Sequence, residues 1–149
     1  MKRSVGFDLE TFLPYRLSVT TNRVSRAFAA HYEQEFGISI PEWRVIAVLG
    51  AFAPLSSNEI CERTAMDKAK VSRAVATLLK RGLIEREAHE TDQRLIQLTL
   101  SKAGRRIYEA IIPRARAIEA EVTKGLSRAD IAHLHQILDR IGDRLDEID

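Results

Sequence analysis

Residues 67–87 read DKAKVSRAVATLLKRGLIERE, a helix-length run with two opposed faces. At about 100° per residue, Val71, Val75, Leu78 and Leu79 share one arc, and Lys70, Arg73, Thr77, Lys80 and Arg81 share the other. No acid follows Asp67 until Glu85, so the polar arc is basic along its whole length. Ala69 and Ala76 border it. Small residues there let a helix lie close to a surface while the cations beside them reach into a groove of helix width, which is the width of the DNA major groove. Asp67 fits the N-cap of this helix and Gly82 its exit.

The neighbouring segments turn that helix into part of a motif. LSSNEICERTAM (55–66) reads as a short helix, with Ser56 and Glu59 spaced as a capping box. LIERE (83–87) and RLIQLTL (94–100) read as two strands around the polar tip AHETDQ (88–93). A short helix, a turn, a basic helix and a hairpin form a winged helix-turn-helix. Lys68, Lys70 and Ser72 stand near the helix start, placed for phosphates or the first base edges. Arg73 is placed to read a guanine edge, because its planar fork matches two acceptors. Arg94, at the hairpin tip beside His89, Asp92 and Gln93, is placed for a narrowed minor groove, with Asp92 able to hold its guanidinium. The alternatives are an ordinary solvated basic face and an ordinary polar turn.

Helices flank this unit. Leu9, Phe12, Leu13, Leu17, Val24, Phe28, Tyr32 and Phe36 follow the spacing of one long amphipathic helix over 9–36, with Pro14 early in it and Gly37 at its exit. Ser39 and Pro41 open a second helix, PEWRVIAVLGAF, which ends near Ala53-Pro54. Ser101 opens a fifth helix that Pro113 should kink, and Ser127 caps a sixth with the stripe Ile131, Leu134, Ile137, Leu138, Ile141, Leu145 and Ile148. The expected fold is mainly α with a small β-hairpin wing. Residues 1–38 are read as an N-terminal dimerisation helix, 39–100 as the DNA-binding lobe and 101–149 as C-terminal dimerisation helices of one intertwined domain.

The 149 residues suffice for one sizeable core, and a net charge of +2 locates any affinity for a polyanion in local clusters. The single cysteine, Cys61, excludes an intramolecular disulfide and a multi-cysteine zinc site. No segment approaches the roughly 18 apolar residues of a membrane span, so a cytoplasmic chain with no membrane partner is expected. G-x-S-x-G, H-E-x-x-H and P-loop patterns are missing, so no enzyme and no cofactor are expected.

The order of these segments resembles the MarR family of winged-helix transcription regulators. IPEWRVIAVL resembles the family's second helix, and LSSNEICERTAMDKAKVSRAVATLLKRGLIERE its helix-turn-helix with the closing K-R-G-L. DQRLIQLTLSKAG resembles the wing's D-x-R pattern running into L-[ST]-x-x-G, with Ser101 where threonine is commoner. The resemblance implies a homodimer, built by the first and last two helices, that binds a pseudo-palindromic operator and usually represses transcription. It carries DNA contact onto Ser56, Ser57, Asn58, Lys68, Lys70, Ser72, Arg73, Thr77 and Arg94, while Lys80 and Arg81 either touch phosphates or stay solvated. Many members release DNA when a small aromatic acid binds. Tyr15, Arg16 and Trp43 are the corresponding effector contacts, set against a plain core or interface role for the two aromatics. The family's peroxide sensors place a reactive cysteine in the first helix, whereas Cys61 lies in a short helix expected to bury it. His133 and His135 fall on different helix faces, so no metal site is expected. The rival to a DNA-binding regulator is a winged helix used as a protein-interaction module.

Overall fold

The computed structural model describes residues 6–89, 91–92 and 95–148. Side-chain caps set most of the helix starts. Ser39 and Glu42 form a reciprocal capping box at the start of α3 (Ile40–Phe52), and Ser56 and Glu59 form another at α4 (Ser57–Thr64). The Asp67 carboxylate accepts the Lys70 N–H at 2.8 Å and opens α5 (Lys68–Lys80). Ser101 receives the Gly104 N–H at 3.1 Å ahead of α6 (Lys102–Val122), which runs through Pro113 as one helix. Ser127 and Asp130 cap α7 (Arg128–Ile148) in the same reciprocal way.

The turn between α4 and α5 departs from the usual glycine. Ala65 takes the left-handed conformation at φ 53°, and the Thr64 hydroxyl bridges the Ile60 carbonyl and the Met66 N–H. The hairpin pairs β1 (Ile84–Ala88) with β2 (Ile96–Leu100), Ile84 opposite Leu100 and Arg86 opposite Leu98. Leu55 adds a bridge to Leu98 through bonds of 3.1 and 2.7 Å, which anchors the wing to the start of the helix-turn-helix.

Two compact units divide the chain, Met1–Ala115 and Arg116–Asp149. The first holds a core of Val45, Ile46 and Leu49 from α3, Ile60 from α4, Val71, Val75 and Leu78 from α5, Leu98 from β2, and Ile111 from α6. In the second, the described residues of α7 include no buried position, and Leu134, Leu138, Leu145 and Ile148 stand exposed.

The expected long first helix is divided. A 3-10 turn (Leu9–Thr11) precedes α1 (Leu13–Ala29), where Pro14 occupies the first turn, and a separate α2 (Glu33–Phe36) follows. The break has a packing cause. Tyr32 is buried against Phe28 and Trp43, and the His31 carbonyl, which would continue the helical ladder, accepts a bond from Arg114 instead. Burial, with the nearby Glu33 charge, pushes the Tyr32 phenol up to about 12 against the pull of Arg44. Cys61 also departs from expectation: it is half-buried at the margin of the core, one residue round α4 from the fully buried Ile60.

Candidate nucleic-acid interface

The buried and exposed positions of α5 separate along the arcs that its sequence defines. Val71, Ala74, Val75 and Leu78 are buried, whereas Lys68, Ala69, Lys70, Ser72, Arg73, Ala76, Thr77 and Lys80 are exposed. The apolar side holds the helix to α3 and α4, and the cationic side is left uncovered. Lys70, Arg73 and Thr77 stand three and four residues apart, one above another on the open face. Ser57 and Asn58 lie exposed in the first turn of α4, where the unpaired N–H groups and the helix dipole favour an anion such as a phosphate. Ser56 itself is occupied as the cap, accepting from the Glu59 N–H at 3.2 Å.

In the wing, His89 has a role that the sequence gives no sign of. Its Nδ1 accepts the N–H groups of Thr91 at 3.2 Å and Asp92 at 3.1 Å, while its backbone N–H donates to the Leu95 carbonyl. Arg94 and Gln93 lie outside the described residues. Arg81 is engaged: its guanidinium donates to the Gly37 carbonyl at 2.9 Å and the Phe36 carbonyl at 2.8 Å.

The three candidate effector residues occupy two helices, Tyr15 and Arg16 on α1 and Trp43 on α3. Trp43 packs edge-on to Phe28 and stacks with Tyr108, so its ring is part of an aromatic cluster. Tyr15 and Arg16 are exposed, with Tyr15 about two helical turns before Asn22. An open cavity of about 420 Å³ lies further along α1, walled by Asn22, Ser25, Arg26, Arg44 and Lys70 over Ile40. Arg44 donates to the Ser25 hydroxyl at 3.1 Å, which aims its charge across this cavity. Arg26, Arg44 and Lys70 come from three helices, so no spacing in the chain could have assembled them.

A helix-turn-helix with an uncovered cationic second helix, followed by a hairpin, defines a DNA-binding protein of the winged-helix class. The chain belongs to the MarR family of transcriptional regulators. The family's sequence profile matches residues 36–95. The transcriptional activatory protein BadR of Rhodopseudomonas palustris is 30% identical over 150 residues, covering 95% of this chain and 83% of that one. A MarR/EmrR family regulator from Acinetobacter sp. ADP1 superposes with a TM-score of 0.87 at 26% identity, over 95% of this chain and 99% of that one. Bordetella bronchiseptica BpsR, whose DNA binding is regulated by 6-hydroxynicotinic acid, shares the fold with a TM-score of 0.80 at 21% identity, over 92% and 97% of the two chains.

Proposed function

We propose that this chain is a cytoplasmic homodimeric repressor that sets α5 of each protomer into successive major grooves of a pseudo-palindromic operator and lets go when a small organic anion binds. The uncovered basic arc of α5 carries this reading. Arg73 and Thr77 read base edges, Lys68, Lys70 and Ser72 meet the strand at the helix start, Ser56, Ser57 and Asn58 meet phosphates, and Arg94, with Asp92 beside it, enters the minor groove. A protein-interaction module would present aromatic or acidic residues where this arc carries lysine, arginine and threonine.

Binding to a labelled fragment of the protein's own upstream region, in a salt series with competitor DNA, tests the reading. Saturable, competitor-resistant binding that weakens steeply with salt is expected. Failure on that fragment and on genomic fragments would favour the interaction module. Run-off transcription from a bound promoter should fall; a rise would make the protein an activator.

Exposed apolar residues support the dimer. Leu13, Leu17 and Val24 of α1, and Leu134, Leu138 and Leu145 of α7, leave large side chains in water on amphipathic helices, and a symmetric partner would bury them. Leu138→Glu should shift the protein toward monomer in sedimentation velocity, and a persistent dimer would place the interface elsewhere.

The effector is assigned to the basic cavity of α1, α3 and α5. An aromatic carboxylate has one charged end for Arg26 and Arg44 and one flat apolar end for Ile40. Lys70 lines the same cavity, so an anion there draws a DNA-facing cation inward, and release can be only as strong as the ligand's preference for the unbound form. Tyr15 and Arg16 are then residues of the dimer surface, and Trp43 belongs to the core. Adding 6-hydroxynicotinic acid should dissociate the parent from DNA, whereas Arg44→Met should need about tenfold more of it, the loss of one charge-assisted pair. Identical titrations of the two proteins would remove the cavity from the mechanism.

A further inference from the structure

We infer that Arg81 is a positioning residue that fixes the recognition helix to the α1–α3 connector, and that Arg114 of α6 grips the same connector. The inference rests on the assignment of α5 as the DNA-reading helix. Arg81 follows the last residue of α5 as its C-cap, and its fork spans two successive carbonyls, those of Phe36 and Gly37. These close the C-terminal end of α2, where carbonyls lack partners within the helix. Arg114 donates to the His31 carbonyl at 2.8 Å, pairs with Glu35, and lies over the Phe36 ring at 5.2 Å. The hydrogen bond and charge of Arg114 hold the Glu35 carboxyl below its usual range.

Two arginines therefore reach the connector from outside, Arg81 through two hydrogen bonds and Arg114 through a hydrogen bond, an ion pair and a ring contact. Phe36 gives its carbonyl to the recognition helix and its ring to α6, and a four-residue helix such as α2 is too short to hold a conformation alone. The two arginines hold its carbonyl groups while the buried Tyr32 ties it to the core. Because Arg81 directly follows the last turn of α5, loss of its fork releases the C-terminal end of the helix while the buried Val71, Val75 and Leu78 keep its apolar side in the core, and the small shift this allows changes where Arg73 meets a base edge without touching Arg73. The same basic residue at a helix end is ordinarily assigned to a DNA phosphate, and the two roles differ in what they do to specificity. A phosphate contact strengthens binding to every sequence alike and adds about one to the salt slope. A positioning residue acts only where base edges must be met in register.

The test compares the full-length parent with Arg81→Lys, Arg81→Met and Arg114→Met on an operator fragment and on a scrambled duplex of equal length, each over a salt series. Lysine keeps the charge but cannot span two carbonyls. Both Arg81 variants should lose about tenfold or more on the operator, while scrambled-duplex affinity and salt slope stay at the parent's values; Arg114→Met should move in the same direction. Arg81→Lys carries the result if Arg81→Met is unfolded by circular dichroism. Recovery of parental operator affinity in Arg81→Lys would overturn the role. So would an equal loss on both duplexes with a shallower slope. A parent that binds no duplex would overturn the DNA-reading assignment and this role with it, an outcome separate from a binding parent whose variants are unchanged.

Discussion

Gly104→Ala should destabilise the protein by about 3 kcal/mol, a fall in Tm of roughly 10 °C at matched protein concentration. Gly104 is buried in the first turn of α6, and a Cβ built there falls onto the carbonyl oxygen of Leu83. That oxygen is a backbone atom and already accepts the Ser101 N–H at 3.1 Å. No side chain can swing aside to make room. The Ser101 hydroxyl donates to the Gly82 carbonyl at 2.6 Å and accepts the Gly104 N–H, so the start of α6 is bound to the link between α5 and β1. Moving α6 outward to admit a methyl group would stretch these bonds and open the core around Leu83 and Ile111. A thermal melt of Gly104→Ala that matches the parent would mean that α6 can shift without loss, and that the close approach is not needed for folding.

The L-[ST]-x-x-G pattern thus has a local physical content, a cap and a close approach, and this is the kind of feature a sequence expresses well. The helix start at Ser39, the capping box at Ser56, the Asp67 cap and the two arcs of α5 are all local, set by residues within about one helical turn, and each appears in the fold as the sequence implies. Features made by distant residues were not legible. The end of α1 depends on where Arg114 finds the His31 carbonyl, 83 positions away. The Leu55–Leu98 bridge that anchors the wing joins two segments that each look like a loop edge or a hairpin strand alone.

The site divides in the same way. Exposure of Lys70, Arg73 and Thr77 follows from helical period, because the buried arc fixes the open one. Arg81 lies on that basic arc by the same count, yet the structure turns its guanidinium to Phe36 and Gly37, since two unpaired carbonyls within reach compete with solvent for its donors. The charged cavity escaped for a further reason. Arg26 stands on the polar side of an amphipathic helix and Arg44 is a lone cation in the apolar α3, and the two meet only after α1 and α3 have packed. An aromatic ring such as Trp43 suits a planar ligand in sequence alone, but a large ring in a small core is usually recruited by other rings, as Phe28, Tyr32 and Tyr108 recruit this one.

The remaining large effect is expected from Arg73→Ala. Arg73 occupies the middle of the open face, one turn from Lys70 on one side and from Thr77 on the other, with Ala69 and Ala76 flanking the face so that the helix can sit deep in a groove. A bidentate arginine–guanine pair contributes ~1–3 kcal/mol of discrimination. In the proposed symmetric dimer that pair would form in both half-sites, so a single substitution would remove it twice, for about 2–6 kcal/mol on the operator. The loss should be selective. Affinity for a scrambled duplex should fall only as far as one missing charge per protomer requires, and replacing the contacted base pair should cost the parent affinity but leave Arg73→Ala indifferent. Arg73→Lys should separate charge from shape, holding scrambled-duplex binding near the parent while losing preference at that base pair, because an ammonium cannot present the planar fork. Lys80→Ala, at the end of the same face, should weaken every sequence to a similar degree. If Arg73→Ala keeps the parent's base preference at every operator position, the reading residue is elsewhere on α5, and Thr77 or Lys70 becomes the next position to replace.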